Sequence, residues 1–560
     1  MRTYYIDGVN KTINLAFAYD KDIIQAIKNC DYNARWNPEL EVWIIPVNEY
    51  SRNNILRLVR AYKFVKIEVK QREDVEVDYS VAKVDLAYVK GLCDAKGFVY
   101  TPRDYQLEAL AYGIEKGNII NGDDVGLGKT FESIMYAETT NSFPCLVVVP
   151  ASVKYNWKEK WEEITGNKRE IAVIESKETR KRKNNWNADV VVINYDIIGK
   201  KQGKGATVRF PQLADIDWKM QIYDEAHFLK NASSQRGAVA KTLTRKDSII
   251  QLLTGTATMS RPAELWNLLV LIKRDHLIAK HWQQFTTRYC GGYRGKFGWV
   301  ADGATNTLEL NERLRKTCYI RREKRDVLDE LPDITKEILK TPITNKRDID
   351  RATTDFIQYV KDTLGDEAAD RAMEAEHLVA LGTLRRLAIE GKIKAIEQYL
   401  KDWRTAGKGK LLIFGIHREG LEYLADKFKC PLIAGGVTSK KKQEIVKAWQ
   451  ESDEDFLFAN MASAGTGVDG LQNVCSNMLI LELPWKPSDL VQVIGRLERS
   501  GQKNAVNVTY MLSDENIDVE MWAMLEDKEL VTEAVNKGID VRRDNSGMRA
   551  VMWKILENSK

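Results

Sequence analysis

No CxxC pair occurs in this chain of 560 residues; its seven cysteines, Cys30, Cys93, Cys145, Cys290, Cys318, Cys430 and Cys475, stand far apart. That scatter argues against a zinc site or a disulfide framework and fits a reducing compartment. Also missing is any run of about eighteen apolar residues, so no membrane-spanning helix is expected. The opening MRTYYIDGVNK lacks the apolar core of a signal peptide, and no low-complexity segment is present. Excess charge is scarce: 85 basic against 80 acidic residues leave +5. Such a balance permits a polyanionic partner through local patches without demanding one. The expectation is a soluble intracellular protein that makes no membrane contact, long enough for about three or four domains.

What is present centres on DDVGLGKT, Asp123 to Thr130. An apolar strand (Ile119, Ile120) leads into a glycine-rich turn and then into a helix opening at Lys129. Gly126 and Gly128 let backbone amides approach phosphate oxygens, and the helix N-terminus adds partial positive charge. Lys129 suits the terminal phosphates, and the Thr130 hydroxyl suits magnesium. The strict phosphate-loop pattern wants glycine where this chain has Asp123. Downstream, YDEAH (Tyr223 to His227) follows the β-like run Met220 to Tyr223 and sets two carboxylates at a strand end. There Asp224 can hold the metal and Glu225 orient a water. The two motifs together predict a nucleoside triphosphatase.

The organisation supports this. Near-continuous apolar runs at 145–149, 189–193, 220–223 and 249–253 alternate with helical stretches, as a parallel sheet buried on both faces requires. A second series follows at 411–414, 431–434, 455–459, 477–483 and 506–512. The fold class expected is α/β, two tandem RecA-like doubly wound domains. The divisions expected are a small α+β module over 1–90, a first lobe over 100–335, a helical connector over 336–400, a second lobe over 401–528 and a helical tail over 529–560. Trp36 and Trp43 in the small module either pack its core or face a ligand. No carboxylate–lysine cluster stands outside the motor to suggest a nuclease.

The ordered segments DDVGLGKT, LVVVPASVKYNWKEKWEE, DEAH, LLTGTAT, KLLIFGIHREGLEYL and QVIGRLERSGQ resemble the motifs of superfamily-two helicase-like ATPases. Pro150, Trp157, IRREKRDVLDELP (320–332) and the closing GRxxRxGQ are similar to the Swi/Snf branch, whose members are double-stranded DNA translocases. The resemblance covers about 100 to 525 and implies ATP and Mg2+ as cofactors and double-stranded or branched DNA as partner. It implies that Gln106, in PRDYQ, selects adenine with Arg103 nearby; that Thr254, Gly255 and Thr256 couple the lobes; and that His227 links ATP state to the nucleic acid. Arg496 and Arg499, three apart on an expected helix, would be arginine fingers on one helical face, with Gln492 lining the same cleft. The module over 1–90 resembles the HARP-type domain of annealing-helicase relatives.

Ala257 stands where that family has proline and Glu498 where it has histidine, while Asp469 and Gly470 sit unusually in AGTGVDGLQN. These departures bear on coupling rather than on hydrolysis. Basic runs at 177–183, 200–209 and Lys440 to Lys442 are candidates for gripping phosphates, as are Ser463 and Thr466. Two alternatives stay open: a strand-separating RNA or single-stranded DNA helicase, and a silent nucleic-acid-binding protein. Compact size leans towards the cytoplasm or nucleoid of a bacterial or phage-infected cell.

Overall fold

The computed structural model describes residues 2–7, 12–17, 20–30, 34–37, 42–46, 51–62, 64–66, 84–179, 183–202, 205–244, 247–255, 261–295, 298–328, 331–354, 375–464, 468–499, 501–513 and 517–539. Thr256, Ala257 and Thr466 lie outside them.

Two parallel sheets carry the architecture. The first has seven strands in the spatial order Tyr319–Ile320, Ile119–Asn121, Ile249–Leu253, Met220–Asp224, Cys145–Val149, Val190–Asn194, Ile171–Val173. Its central strands are largely apolar because both faces are covered, Cys145–Val149 throughout and its neighbours with Gln221 and Gln251 as buried polar exceptions. Leu146, Val148, Val191 and Ile193 enter one core, and Cys145, Val147, Val149, Val190 and Val192 enter the other. The second sheet has six strands in the order Ile334–Lys340, Val506–Leu512, Asn477–Ile480, Leu411–Gly415, Phe456–Asn460, Leu432–Ile433. Leu412 and Phe414 pack on one side of it, Leu411 and Ile413 on the other. The sequence pattern therefore led to the observed α/β class.

The small module is a five-stranded sheet with the helices Lys21–Cys30 and Ser51–Ala61 against it. Its two tryptophans divide: Trp43 packs against the core, whereas Trp36 is 43% exposed, 6.3 Å from it centroid to centroid.

Two expected boundaries need correction. The stretch 336–400 is not a helical connector throughout: Ile334–Lys340 pairs with Val506–Leu512 as an edge strand of the second sheet. Its sequence, ITKEILK, shows no apolar run because most of its side chains are exposed at the sheet edge. The following helix, Ala375–Thr405, belongs to the second core through Leu381, Leu384, Ile396 and Leu400. There Lys392 is fully buried and donates to Leu481 O (2.7 Å), Met511 O (2.9 Å) and Asp518 Oδ2 (2.8 Å).

Nor does a tail begin at 529, since Asp518–Lys537 is one helix. Its first turns place Met521, Met524 and Leu525 in the second core, and its end places Val535 in the first. Asn311 Nδ2 donates to Val535 O (2.6 Å) and Asn536 O (2.9 Å), and Tyr319 donates to Asn536 Oδ1 (3.0 Å). This helix braces one lobe on the other.

Two outcomes are expected. Asn311→Ala takes its donor from Val535 O, while Asn536 O keeps Arg315 Nη2 (2.9 Å), and lowers stability by about 1–3 kcal/mol in denaturant melts, with exchange protection lost at 531–537. Lys528, in the same helix, is held down to about 8 from 10.5, first by burial and then by Arg261, with Lys230 and Lys486 adding and Glu264 opposing. The unfolded lysine thus binds more protons between pH 8 and 10.5, so wild type gains stability relative to Lys528→Met as pH rises through that window. Melting temperatures of the pair at pH 7 and 10 check the sign.

Candidate active site

Three neighbouring strands of the first sheet end at one place: Ile119–Asn121, Ile249–Leu253 and Met220–Asp224. Ligands of doubly wound sheets meet the carboxyl ends of strands, and here those ends carry the glycine-rich loop, Thr254–Gly255, and Asp224–Glu225. Gly126 and Gly128 both have left-handed backbone (φ 96° and 95°), which favours glycine, and Lys129–Thr139 then forms the helix. Lys129 Nζ donates to Asp123 O (2.5 Å) and Asp124 O (3.0 Å) within its own loop. Burial lowers this ammonium, against the pull of Glu225, Asp123 and Asp124. Thr130 opens the same helix beside it.

The two carboxylates at 224 and 225 are held differently. Asp224 accepts from Trp157 Nε1 (Oδ2, 2.8 Å) and from the Glu225 amide (Oδ1, 2.9 Å), and its main-chain oxygen takes the Tyr195 hydroxyl (2.7 Å). Burial, and then Glu225, raises its carboxyl to about 6. Burial would raise Glu225 as well, but His227, Lys129 and Arg496 hold it below the usual range. Glu225 sits at φ 49°, costly for a residue with a side chain. Its Oε2 is buried, 3.1 Å from His227 Nδ1, yet forms no aligned hydrogen bond. Paired buried carboxylates with an orphaned oxygen are a donor set that suits a hard divalent cation. His227 also stacks on Phe228 at 4.7 Å.

Gln106 is buried against the loop: Nε2 donates to Leu127 O (3.1 Å) and Oε1 accepts from the Arg103 amide (3.0 Å). Each end of that amide has a second bonding position. Arg103 is exposed beside it. Thr254 is fully buried and its amide donates to Asn121 O (3.0 Å). A Cβ at Gly255 would stand 2.7 Å from Val125 Cγ2 and 3.7 Å from Lys129 Nζ, so the third strand end abuts the loop.

The second lobe reaches this loop. A Cβ at Gly495 would lie 3.5 Å from Val125 Cγ1, and one at Gly126 would lie 3.9 Å from Arg499 Cβ. Arg496 and Arg499 are not on a helix, which corrects the expectation of one helical face. The helix Pro487–Ile494 ends first, and residues 495–499 form a tight turn with the Leu497 amide on Ile494 O (2.9 Å). Gln492 is half-buried in the last turn of that helix. Both arginines meet Asp469, Arg499 Nη1 at 2.5 Å and Arg496 Nη1 at 3.6 Å. Burial lowers Arg496, opposed by Asp469 and Glu225.

Sequence reasoning missed a layer beneath the loop. Asp123, where glycine was looked for, is fully buried and receives Arg322 Nε at 3.2 and 3.1 Å; Arg322 Nη2 also reaches Glu132 Oε1 at 3.1 Å. Arg321 donates to Gly122 O (2.6 Å), Gly255 O (2.9 Å) and Asp124 Oδ1 (2.7 Å). The available signal was a pair of arginines following a strand in IRREKRDVL, noted only for its resemblance. Among the grip candidates, Lys442 is excluded: it is buried and bonds Ser463 O, whereas Lys440 and Lys441 are exposed. Part of the run 177–183, residues 180–182, lies outside the described residues, as do 203–204 of the 200–209 run.

Residues 49–375 match the SNF2-related domain, and residues 391–501 match the helicase conserved C-terminal domain. The chain therefore belongs to the SNF2-related family of helicase-like ATPases. Among curated relatives it is 25% identical, over 92% of this chain and 52% of that protein, to "SWI/SNF-related matrix-associated actin-dependent regulator of chromatin subfamily A-like protein 1" of Xenopus laevis. It is 27% identical, over 78% of this chain and 40% of that protein, to human "DNA annealing helicase and endonuclease ZRANB3". The chain thus spans about half the length of these relatives. A solved "Sulfolobus solfataricus SWI2/SNF2 ATPase core in complex with dsDNA" is 18% identical, covers 79% of this chain and 94% of that one, and superposes with a TM-score of 0.37. The expected bacterial or phage setting is corrected by the curated relatives, which come from Xenopus, Caenorhabditis, Drosophila and mammals. Among the described residues no helix is long and apolar enough to cross a membrane.

Replacing Arg322 by alanine leaves Asp123 and Glu132 buried without their cation, so stability should fall by about 3–5 kcal/mol. Equilibrium denaturation of Arg322→Ala against wild type measures it, and a loss under about 1 kcal/mol would contradict the pairing.

Proposed function

We propose that this chain is an ATP-driven motor that moves along double-stranded DNA, remodelling protein–DNA complexes or reannealing strands. One observation carries the reading: the turn bearing Arg496 and Arg499 lies on the phosphate loop, close enough that Arg496 and Glu225 shift one another's protonation. A triphosphate at that junction is touched from both sheets. Lys129 and the loop amides bind the phosphates, and Arg496 and Arg499 supply charge as it builds on the transferred group. Asp224 and Thr130 would hold Mg2+, which supplies charge neutralisation to the phosphates when bound. Glu225, kept ionised by His227, Lys129 and Arg496, orients the attacking water. Gln106 and Arg103 meet the adenine, and the second donor and acceptor positions of the Gln106 amide suit its edge.

Because the arginines belong to the second sheet, hydrolysis removes the shared anchor between the lobes. A duplex held by both is then passed from one to the other, through backbone contacts that make binding salt-dependent and sequence-independent. His227, beside Glu225, and Thr254 and Gly255, beside the loop, transmit the nucleotide state, with Thr256 next to them in sequence. The working units are the module over 1–66, a first lobe over 84–328, and a second lobe from Ile334 that includes the helix Ala375–Thr405 and the brace. The family membership, and relatives named for chromatin regulation and DNA annealing, support duplex or branched DNA as the track. Under this reading the module over 1–66 is an accessory DNA-structure reader of HARP type, and Trp36 is its exposed aromatic.

Lys129→Ala and Glu225→Gln should each lower ATP turnover by about 10²-fold or more. Wild-type turnover should rise with duplex or forked DNA, and the protein should displace a triplex-forming strand from duplex DNA. Stimulation by single-stranded RNA alone would favour a strand-separating RNA helicase instead. No hydrolysis with any nucleic acid would mark a silent binder.

A further inference from the structure

The segment between the two sheets contains one side chain that touches both halves of the proposed catalytic junction. Lys324 lies on the short helix Lys324–Val327, its side chain 5% exposed. A Cβ at Gly126 would lie 3.7 Å from Lys324 Cε, so the lysine stem runs along the phosphate loop. The Lys324 amide donates to Asp124 Oδ2 in the same loop (3.2 Å). Its ammonium then crosses to the second lobe and donates to Glu498 O (2.7 Å) and Glu498 Oε2 (3.1 Å). Glu498 lies within the arginine turn, one before Arg499, and its carboxylate is 15% exposed.

A partly buried carboxylate at that position is costly without a cation. Lys324 supplies one, and in doing so fixes the turn's distance from the loop. A histidine at 498, usual in the resembling branch, carries no constant negative charge and would not hold the ammonium in this way.

We propose that Lys324 and Glu498 form a latch of two positioning residues that holds Arg496 and Arg499 over the phosphate loop, in a chain that has replaced the usual histidine by a matched acid. Neither side chain touches the reacting atoms; both act through the arginine turn. The inference rests on the reading of this site as an ATP hydrolase. The latch therefore governs how often the arginines are in place when phosphate transfer is attempted, and not how tightly the loop binds nucleotide.

The test is a double-mutant cycle on the full chain with Lys324→Met, Glu498→Gln and both together. Each single change should lower kcat for ATP about 10-fold with KM moved less than about 2-fold, and the double should fall no further than the singles. Amide exchange at 495–499 should quicken in both singles without nucleotide, which reads the latch whether or not ATP is split. Should Lys324→Met fail to fold, Glu498→Gln carries both measurements. Additive losses, a rise in KM matching the fall in kcat, or unchanged exchange at 495–499 would each overturn the latch. A wild-type chain without ATPase activity but with the exchange response would refute the hydrolase reading while leaving the contact intact.

Discussion

Beneath the phosphate loop, Asp123 and Glu132 share the guanidinium of Arg322, and much of the molecule is arranged to make that contact. Two buried carboxylates at the base of an anion-binding loop repel each other and would repel phosphate. Burial, and then the charge of Asp123, raises Glu132 to about 8 even with Arg322 opposing. Only a cation held by several bonds makes the cluster tolerable. Arg322 is 199 residues from Asp123 in sequence, so the loop's base closes only after the edge strand Tyr319–Ile320 has joined the sheet beside Ile119–Asn121. Long-range assembly thus precedes a competent loop. The aspartate that stands at 123 in place of glycine is the acceptor of that long-range contact.

The same segment then leaves the first sheet for the second, so loop geometry and lobe geometry are set by adjacent residues. Arg321 ties Gly122, Asp124 and Gly255; Arg322 ties Asp123 and Glu132; Lys324 ties the arginine turn. On the far side of the cleft the helix Asp518–Lys537 contributes to both cores. The lobes are therefore joined by a covalent crossing and a packed brace. Motion between them has to pivot about contacts such as Asn311 with Asn536 rather than separate freely.

The α/β class and most of the central strands were legible in the sequence because buried parallel strands announce themselves as apolar runs, CLVVV at 145–149 being the clearest. Short or exposed strands were not: Tyr319–Ile320 is two residues long, and Ile334–Lys340 exposes its charges at a sheet edge. The candidate site shows the same split. The positions of Lys129 and Thr130 at a helix start and of Asp224 and Glu225 at a strand end could be read from local sequence. The cations that pair with their neighbours could not, because a lone arginine gives no sign of a partner 199 positions away. Periodicity also misled once: three-residue spacing suggested a helix through Arg496 and Arg499, but the helix stops at Ile494 and the turn tightens after Gly495.

Asp469 shows why departures from a pattern repay a physical reading. In sequence it looked misplaced within a glycine-rich segment. In the fold, burial would raise its carboxyl, but Arg499, hydrogen-bonded to it, and Arg496 hold it below the usual range. Two arginines side by side in a largely buried turn would be unfavourable neighbours without an acid, because burial lowers Arg496 and Arg499 adds to that effect, with Asp469 opposing both. Each cation named around the loop has such an acceptor: Lys129 has two carbonyls, Arg321 has Asp124, Arg322 has Asp123, Lys324 has Glu498, and the arginine pair has Asp469. Phosphate oxygens entering this junction compete with protein oxygens already in contact, so binding exchanges one set of charge-assisted bonds for another. Net gain then depends on how many cations a single polyanion engages at once, which favours a ligand carrying several linked phosphates over an isolated one.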